Sequence, residues 1–468
     1  MNRKITHALL FSVLVLLSAS PLEAQFPQTN QPTVPGIPKP QMPGTPQPAT
    51  LGPGNVFKHG YTSPATQPNS YRLVLQPGQP STMHPANPEP DYTVPSNYID
   101  PFKARRDEGR ITALESTLRD VYETETRISY DLPAQTTGTA HYRAAYKELS
   151  AMLNGTKPDD LKRAVFLVEN AWNGNTGSYA DFCKSIDQMA ADCRYLISRA
   201  NEQDNETCNM AVFEYLSDTT HVPGKAGLET HFPIRYDFDD FMGKQDWSKM
   251  FVTKLVKTGT GQCHSMPLLY LILANEVGAK ANLAFGPSHI YVKFPDGRGK
   301  LRNLELTNGR LTTDAWIVGS GYVKAEAVRH GIYFDTLTTR QAVALCMFDL
   351  AKGYGRKFSM DKFVLDAVNA GLEVHPANVY GLMLKSDFYT LWFAYAHGQA
   401  GKPSLQQAKT NHPKLIEIYN QRNRMYDLID RTGYEDMPDE AYARWLSSVN
   451  AAAQVRQDKA IRTELHND

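Results

Sequence analysis

Prolines divide this 468-residue chain before any other feature does. Positions 21–101 hold 19 of its 30 prolines. Each proline locks φ and removes a backbone donor. With glutamine, asparagine and threonine between them and few apolar side chains, the stretch cannot bury enough surface to offset the entropy of ordering. Residues 25–100 therefore read as a Pro-rich, disordered, partly extended tether, with one strand-like patch at Tyr71-Arg-Leu-Val-Leu75. Ahead of it, Asn2, Arg3 and Lys4 precede an apolar run at 8–17 and the small-residue end Leu22-Glu23-Ala24. That layout predicts a secretory signal peptide over 1–24 and a mature start near Gln25.

The folded part is thereby confined to the rest of the chain. Lysine plus arginine and aspartate plus glutamate both number 49, so no basic excess is present to displace counterions from nucleic acid. Mean hydropathy is −0.43, and no apolar run of about 18 residues follows the first twenty positions. The expectation is an exported protein of the periplasm, cell envelope or extracellular space, with no integral membrane segment after signal removal. Five cysteines are too few for a disulfide scaffold. Cys183 and Cys193 would lie about 15 Å apart on one helix, beyond bridging range. Cys193 with Cys208 remains open between a bridge and two packed thiols.

Residues 101–245 read as helical. Apolar residues recur at helical spacing at Ile111, Leu114, Leu118 and Val121, at Tyr142, Tyr146, Leu149 and Leu153, and at Leu161, Val165, Val168 and Trp172. Asp159 and Asp160 suit a helix start. Further helices are expected over 179–199 and near 210–216. Asp237, Asp239 and Asp240 lack calcium-loop spacing and read as a solvated turn.

The chemistry concentrates in 246–325. Phe251, Thr253 and Leu255 alternate as in a short strand, and Gly259 and Gly261 make a turn. Residues 268–277 form a strongly apolar helix stopped by Gly278. Pro267 is tolerated only in the first turn, so the helix begins at about 263–266. Cys263 then sits where free N–H groups and the helix dipole favour a thiolate. His264 points elsewhere and reads as structural. Strands are expected at 281–285, 289–294 and 301–306, with turns at 286–288 and 295–299. A hairpin symmetric about Gly297 opposes residues whose numbers sum to 594, and His289 and Glu305 do so. Glu305 would orient the imidazole and leave its other nitrogen for a thiol. Asn303, on the same face, is the reserve partner. Gln262 and the Cys263 N–H are candidate oxyanion donors. The set Cys263, His289, Glu305 suits a thiol nucleophile acting on an acyl or amide carbon. No cofactor or metal is called for.

Gly261-Gln-Cys263, Gly278-Ala279, His289-Ile-Tyr-Val and Glu305-Leu-Thr307 together resemble the transglutaminase-like superfamily of papain-type cysteine enzymes. Glutamate stands where that family carries aspartate, and Tyr291 where it often carries tryptophan. The resemblance covers one small module. It implies an α+β fold in which the nucleophile's helix packs on an antiparallel sheet, flanked here by helical N- and C-terminal regions.

Residues 326–468 read as helical, over 338–350, 378–397, 415–428 and 439–455. Ala342, Leu345, Cys346 and Leu350 form one stripe. From Leu350 through Phe363, Ala367 and Leu372 to Pro376 the spacing is that of a tetratricopeptide helix pair. Too few repeats are present for a free solenoid, so the unit should pack on the central module. Two functions follow. One is an exported hydrolase cleaving an amide or peptide bond in a peptide or protein substrate, with acyl transfer to an amine as the variant outcome. The other is a catalytically inactive envelope protein that binds a peptide on its C-terminal helices.

Overall fold

The computed structural model describes residues 128–447 apart from 320, 321, 439 and 446. The expected signal peptide, tether with its strand-like patch, helix at 111–121 and end of the last helix lie outside the described residues.

Four helices come first: α1 (Ala140–Leu153), α2 (Leu161–Trp172), α3 (Tyr179–Ser198) and α4 (Asn205–Ser217). Three of their starts are written locally. Asp160 Oδ1 accepts the Arg163 N–H at 2.9 Å, Ser178 caps α3 and Asp204 caps α4. A hairpin, β1 (Thr220–Gly224) with β2 (Gly227–His231), then interrupts what the sequence reads as wholly helical. β3 (Arg235–Tyr236) pairs in parallel with β4 (Thr260–Gly261), and α5 (Val252–Thr258) lies between them. The strand expected over Phe251, Thr253 and Leu255 is thus a helix. The reason is remote in sequence: the Glu169 carboxylate accepts the N–H groups of Val252 at 2.6 Å and Thr253 at 2.8 Å and caps the helix start.

α6 (Ser265–Glu276) follows, with Pro267 in its first turn and Gly278 at φ +75° just past its end. Every residue from Ser265 to Ala274 is buried, as befits a helix that is apolar all round. One side packs on α3 and α4, the other on β5 (Asn282–Gly286) and β6 (His289–Pro295). With β7 (Leu301–Glu305) and β8 (Arg310–Thr312) these form an antiparallel meander in the order β5-β6-β7-β8. Val292, Phe294 and Leu304 join the main core. Alternation places His289, Tyr291, Lys293, Asn303 and Glu305 on the opposite face.

Short helices α7 (Asp314–Val318) and α8 (Ala325–Arg329) lead to five more: α9 (Thr339–Phe358), α10 (Lys362–Val374), α11 (Val379–Gln399), α12 (Leu405–Asn411) and α13 (Pro413–Thr432). A capping box of Thr338 and Gln341 opens α9. α9 packs on α1, α2 and α10, and α11 on α13. At Gly371 a β-carbon would come within 2.3 Å of the Phe348 ring, so α10 lies very close to α9. One apolar core runs from Tyr142 in α1 through α6 and the sheet to Leu384 in α11. The architecture is mixed α+β with small antiparallel sheets. Among the described residues no helix is long and apolar enough to cross a membrane, and no group of three or more His, Cys, Asp or Glu is placed to hold a metal ion. None of the five cysteines is bridged, so Cys193 and Cys208 are separate thiols.

Candidate active site

Cys263 sits two residues ahead of α6, between β4 and the helix. A β-carbon at Gly261 would meet Ser265 Oγ at 2.8 Å and the Leu255 methyls at 3.0 Å, so only glycine fits there. The Gln262 N–H donates to Ser265 Oγ at 3.0 Å, which fixes the approach to the helix. The β3–β4 pair brings Tyr236 opposite Gly261 and thus beside the thiol. Lys254 secures that pair through Asp237 Oδ2 at 2.6 Å and the Thr260 carbonyl at 3.0 Å.

His289 opens β6 after the two-residue turn Pro287-Ser288, with Ser288 at φ +51°. The β6–β7 register pairs Val292 with Leu304 and Lys293 with Asn303, a sum of 596 rather than 594. The expected direct opposition is therefore off by two residues. Asp296 donates its N–H to the Lys300 carbonyl at 2.9 Å, and Gly299 takes the left-handed conformation at φ +76°. The loop is thus centred on Arg298, with its glycine at the closing position. A shift of two keeps every side chain on its own face, whereas a shift of one would have separated them. Glu305 is diagonal to His289, and its Oε2 still meets Nε2 at 2.5 Å. The longer reach of glutamate suits that diagonal. Its other oxygen accepts the Thr307 N–H at 3.0 Å and the Thr307 hydroxyl at 2.6 Å. The carboxylate is thereby fixed at both ends.

Nδ1 of His289 is buried and makes no hydrogen bond. Burial pulls the ring's pKa down, but the Glu305 charge and the Cys263 thiol outweigh it and carry the value up to about 10. Burial pushes the Cys263 thiol up, yet His289, the Tyr442 hydroxyl and the charge of His264 together hold it below its usual value. The pair therefore favours thiolate and imidazolium.

The other two expected positions have different partners. Asn303 Nδ2 donates to Asp314 Oδ1 at 2.8 Å, in a polar group with Lys293 rather than with His289. Gln262 Nε2 points to the carbonyls of Asp237 at 3.4 Å and Asp240 at 3.3 Å, while its Oε1 is buried without a hydrogen bond. Asp240 itself accepts the N–H groups of Lys244, Gln245 and Asp246, so this acidic loop is a turn closed on its own backbone.

The sequence reading missed the cover. Residues 440–445 are helical and lie over the thiol: Tyr442 Oη is 3.3 Å from Cys263 Sγ, and the Trp445 ring meets the His289 ring edge-on at 4.9 Å. Phe241 stacks on Tyr442, and Met437 and Ala441 complete the cluster around the sulfur. Cys263 is consequently 7% exposed. Burial and the nearby thiol push the Tyr236 and Tyr442 phenols well above their usual range, which keeps both as neutral donors. Tyr442 is 179 residues from Cys263, and no local pattern marks it.

No family model matches this chain, and no curated protein does. Among solved structures, one described as "Crystal structure of menin reveals the binding site for Mixed Lineage Leukemia (MLL) protein" aligns at 10% identity over 60% of this chain and 74% of that chain, with a TM-score of 0.26. At that score no shared fold follows.

Proposed function

We propose that the chain is an exported, transglutaminase-like cysteine enzyme that hydrolyses an amide or peptide bond through Cys263, His289 and Glu305. The observation that carries this reading is the division of labour on the His289 ring. Nε2 is tied to a doubly anchored carboxylate, while Nδ1 is unspent beside the thiol. In the reaction, the Cys263 thiolate attacks the carbonyl carbon, and the imidazolium gives its proton to the departing nitrogen. The amine leaves an acyl-thioester. His289 then takes a proton from water, the hydroxide attacks the thioester, and the Cys263 thiolate is expelled beside the imidazolium with release of the acid. Free N–H groups at the α6 start and the neutral phenols beside the thiol would face the oxyanion that develops. Export rests on residues 1–24. The C-terminal helices, with tetratricopeptide-like spacing in α9 and α10, would support the module and offer a peptide-binding face.

A second reading is favoured by one observation: the sulfur is sealed under Tyr442 and Trp445. On that reading the cover stays closed and the chain is a binding protein that retains the site's architecture. Alkylation by iodoacetamide across pH, read on the Cys263 peptide by mass spectrometry, decides between them. The enzyme reading expects modification with a midpoint below that of an ordinary thiol, lost in His289→Ala and accelerated in Trp445→Ala. An ordinary thiol midpoint in all three proteins would sink the enzyme.

A further inference from the structure

A second, half-buried histidine adjoins the nucleophile. His264 is the residue before α6, one position from Cys263. Its Nε2 lies 2.9 Å from Asp349 Oδ2 on α9, and its Nδ1 lies 3.3 Å from the Met250 carbonyl. Both partners accept and neither can donate. A neutral imidazole has one N–H, so one of its nitrogens would turn a lone pair toward an acceptor's lone pair. Only the doubly protonated ring satisfies both contacts. Asp349 is in turn held by the Tyr380 hydroxyl, which donates to Oδ1 at 3.1 Å. The Met250 carbonyl is placed by the 3-10 turn Trp247–Met250, just ahead of the α5 start that Glu169 caps.

We propose that Asp349 and the Met250 carbonyl hold His264 as an imidazolium at neutral pH whose charge, one residue from Cys263, stabilises the thiolate alongside His289. His264 and Asp349 are then positioning residues for the nucleophile, and the inference rests on reading Cys263 as one. His264 differs from His289 in having no nitrogen left over, so it cannot carry a proton during the reaction. Burial lowers its pKa, but Asp349 and the Met250 carbonyl reverse this and bring it up to about 9. The groups facing it are Asp349 and Cys346 from α9, Glu169 from α2 and Cys263 itself, with Lys352 bearing on Asp349 from one turn further along α9. Those facing the thiol are His289, Tyr236, Tyr442 and, through Tyr236, Glu305. His289 and, one residue along the chain, His264 are the cations that bear on the thiol.

Two measurements test it. Nitrogen-15 NMR of the natural chain at pH 7.5 should show both His264 nitrogens protonated. A neutral ring titrating near 6.5 would overturn the proposal without any variant. Iodoacetamide alkylation of the Cys263 peptide across pH is the second. Asp349→Asn keeps an acceptor of the same shape but removes the charge, and should raise the alkylation midpoint by about one pH unit. His264→Gln should do the same, and Asp349→Glu should restore the natural midpoint. A low midpoint unchanged in Asp349→Asn and His264→Gln would overturn this proposal while leaving the Cys263–His289 reading intact. An ordinary midpoint near 8.5 in the natural chain would overturn both.

Discussion

Two histidine–carboxylate pairs flank one cysteine, the first fully buried and the second half-buried at its ring, and they are built in opposite ways. His289 and Glu305 are 16 residues apart and meet within a single hairpin. His264 and Asp349 are 85 residues apart and meet only because α9 packs beside the α6 start. In the hairpin pair one ring nitrogen is committed and the other unspent. In the helical pair both nitrogens face acceptors. A ring with a spare nitrogen can pass a proton, whereas a ring with none can only hold a charge. The number of uncommitted atoms, rather than the identity of the partner, separates the two roles.

The largest expected effect tests that distinction directly. His289→Ala should slow Cys263 alkylation at pH 6 by at least about tenfold, because the thiolate loses its neighbouring imidazolium. Retention of fast alkylation would mean that the helical pair alone makes the thiolate. Glu305→Gln keeps a hydrogen-bond acceptor for Nε2 and removes the charge. It should move the alkylation midpoint up by about one unit, comparable to Asp349→Asn, and no movement would leave Glu305 with orientation alone.

Stability against pH gives a third, smaller test. His264 is raised from 6.5 to about 9, so its stabilisation is complete below pH 6.5 and is lost as pH rises through about 9. Burial raises Glu169 from 4.5 to about 7, so its protonated form likewise favours the folded state below 4.5 and that benefit disappears through about 7. Both contributions fall with rising pH. Thermal unfolding should show Tm declining from pH 5 to pH 9, and Asp349→Asn should make the part between 6.5 and 9 less steep, leaving the share of His289, which is raised to about 10. A Tm that rises over that interval would contradict the charged assignment. The smallest effect is expected of Thr307→Val, which removes the hydroxyl at 2.6 Å from Glu305 and should cost about 1 kcal/mol in chemical denaturation, with the alkylation midpoint barely moved.

Much of the hairpin pair was legible because its causes are local. Pro267 places the start of α6 by the geometry of one turn, and that places Cys263. Alternation puts His289 and Glu305 on one face whichever even register the loop selects. The register itself was misplaced by two, because two glycines flank Arg298 and only Gly299 adopts the left-handed conformation that closes the loop. The helix at Val252–Thr258 was hidden because its cap, Glu169, comes from 83 residues away. The same distance problem concealed Tyr442 and Trp445, which cover the sulfur and the imidazole from the far end of the chain.

By itself, then, the sequence determined which residues sit at a helix start and on one face of a hairpin, since such positions follow from the 3.6-residue and two-residue periods of the backbone. It also marked where the proline-rich chain gives way to segments able to form a core. Tertiary packing alone decided that the thiol is covered, that Asn303 and Gln262 are committed elsewhere, and that His264 has a carboxylate to hold its second proton. These depend on contacts between groups tens to hundreds of residues apart, and no local period encodes where such groups will meet.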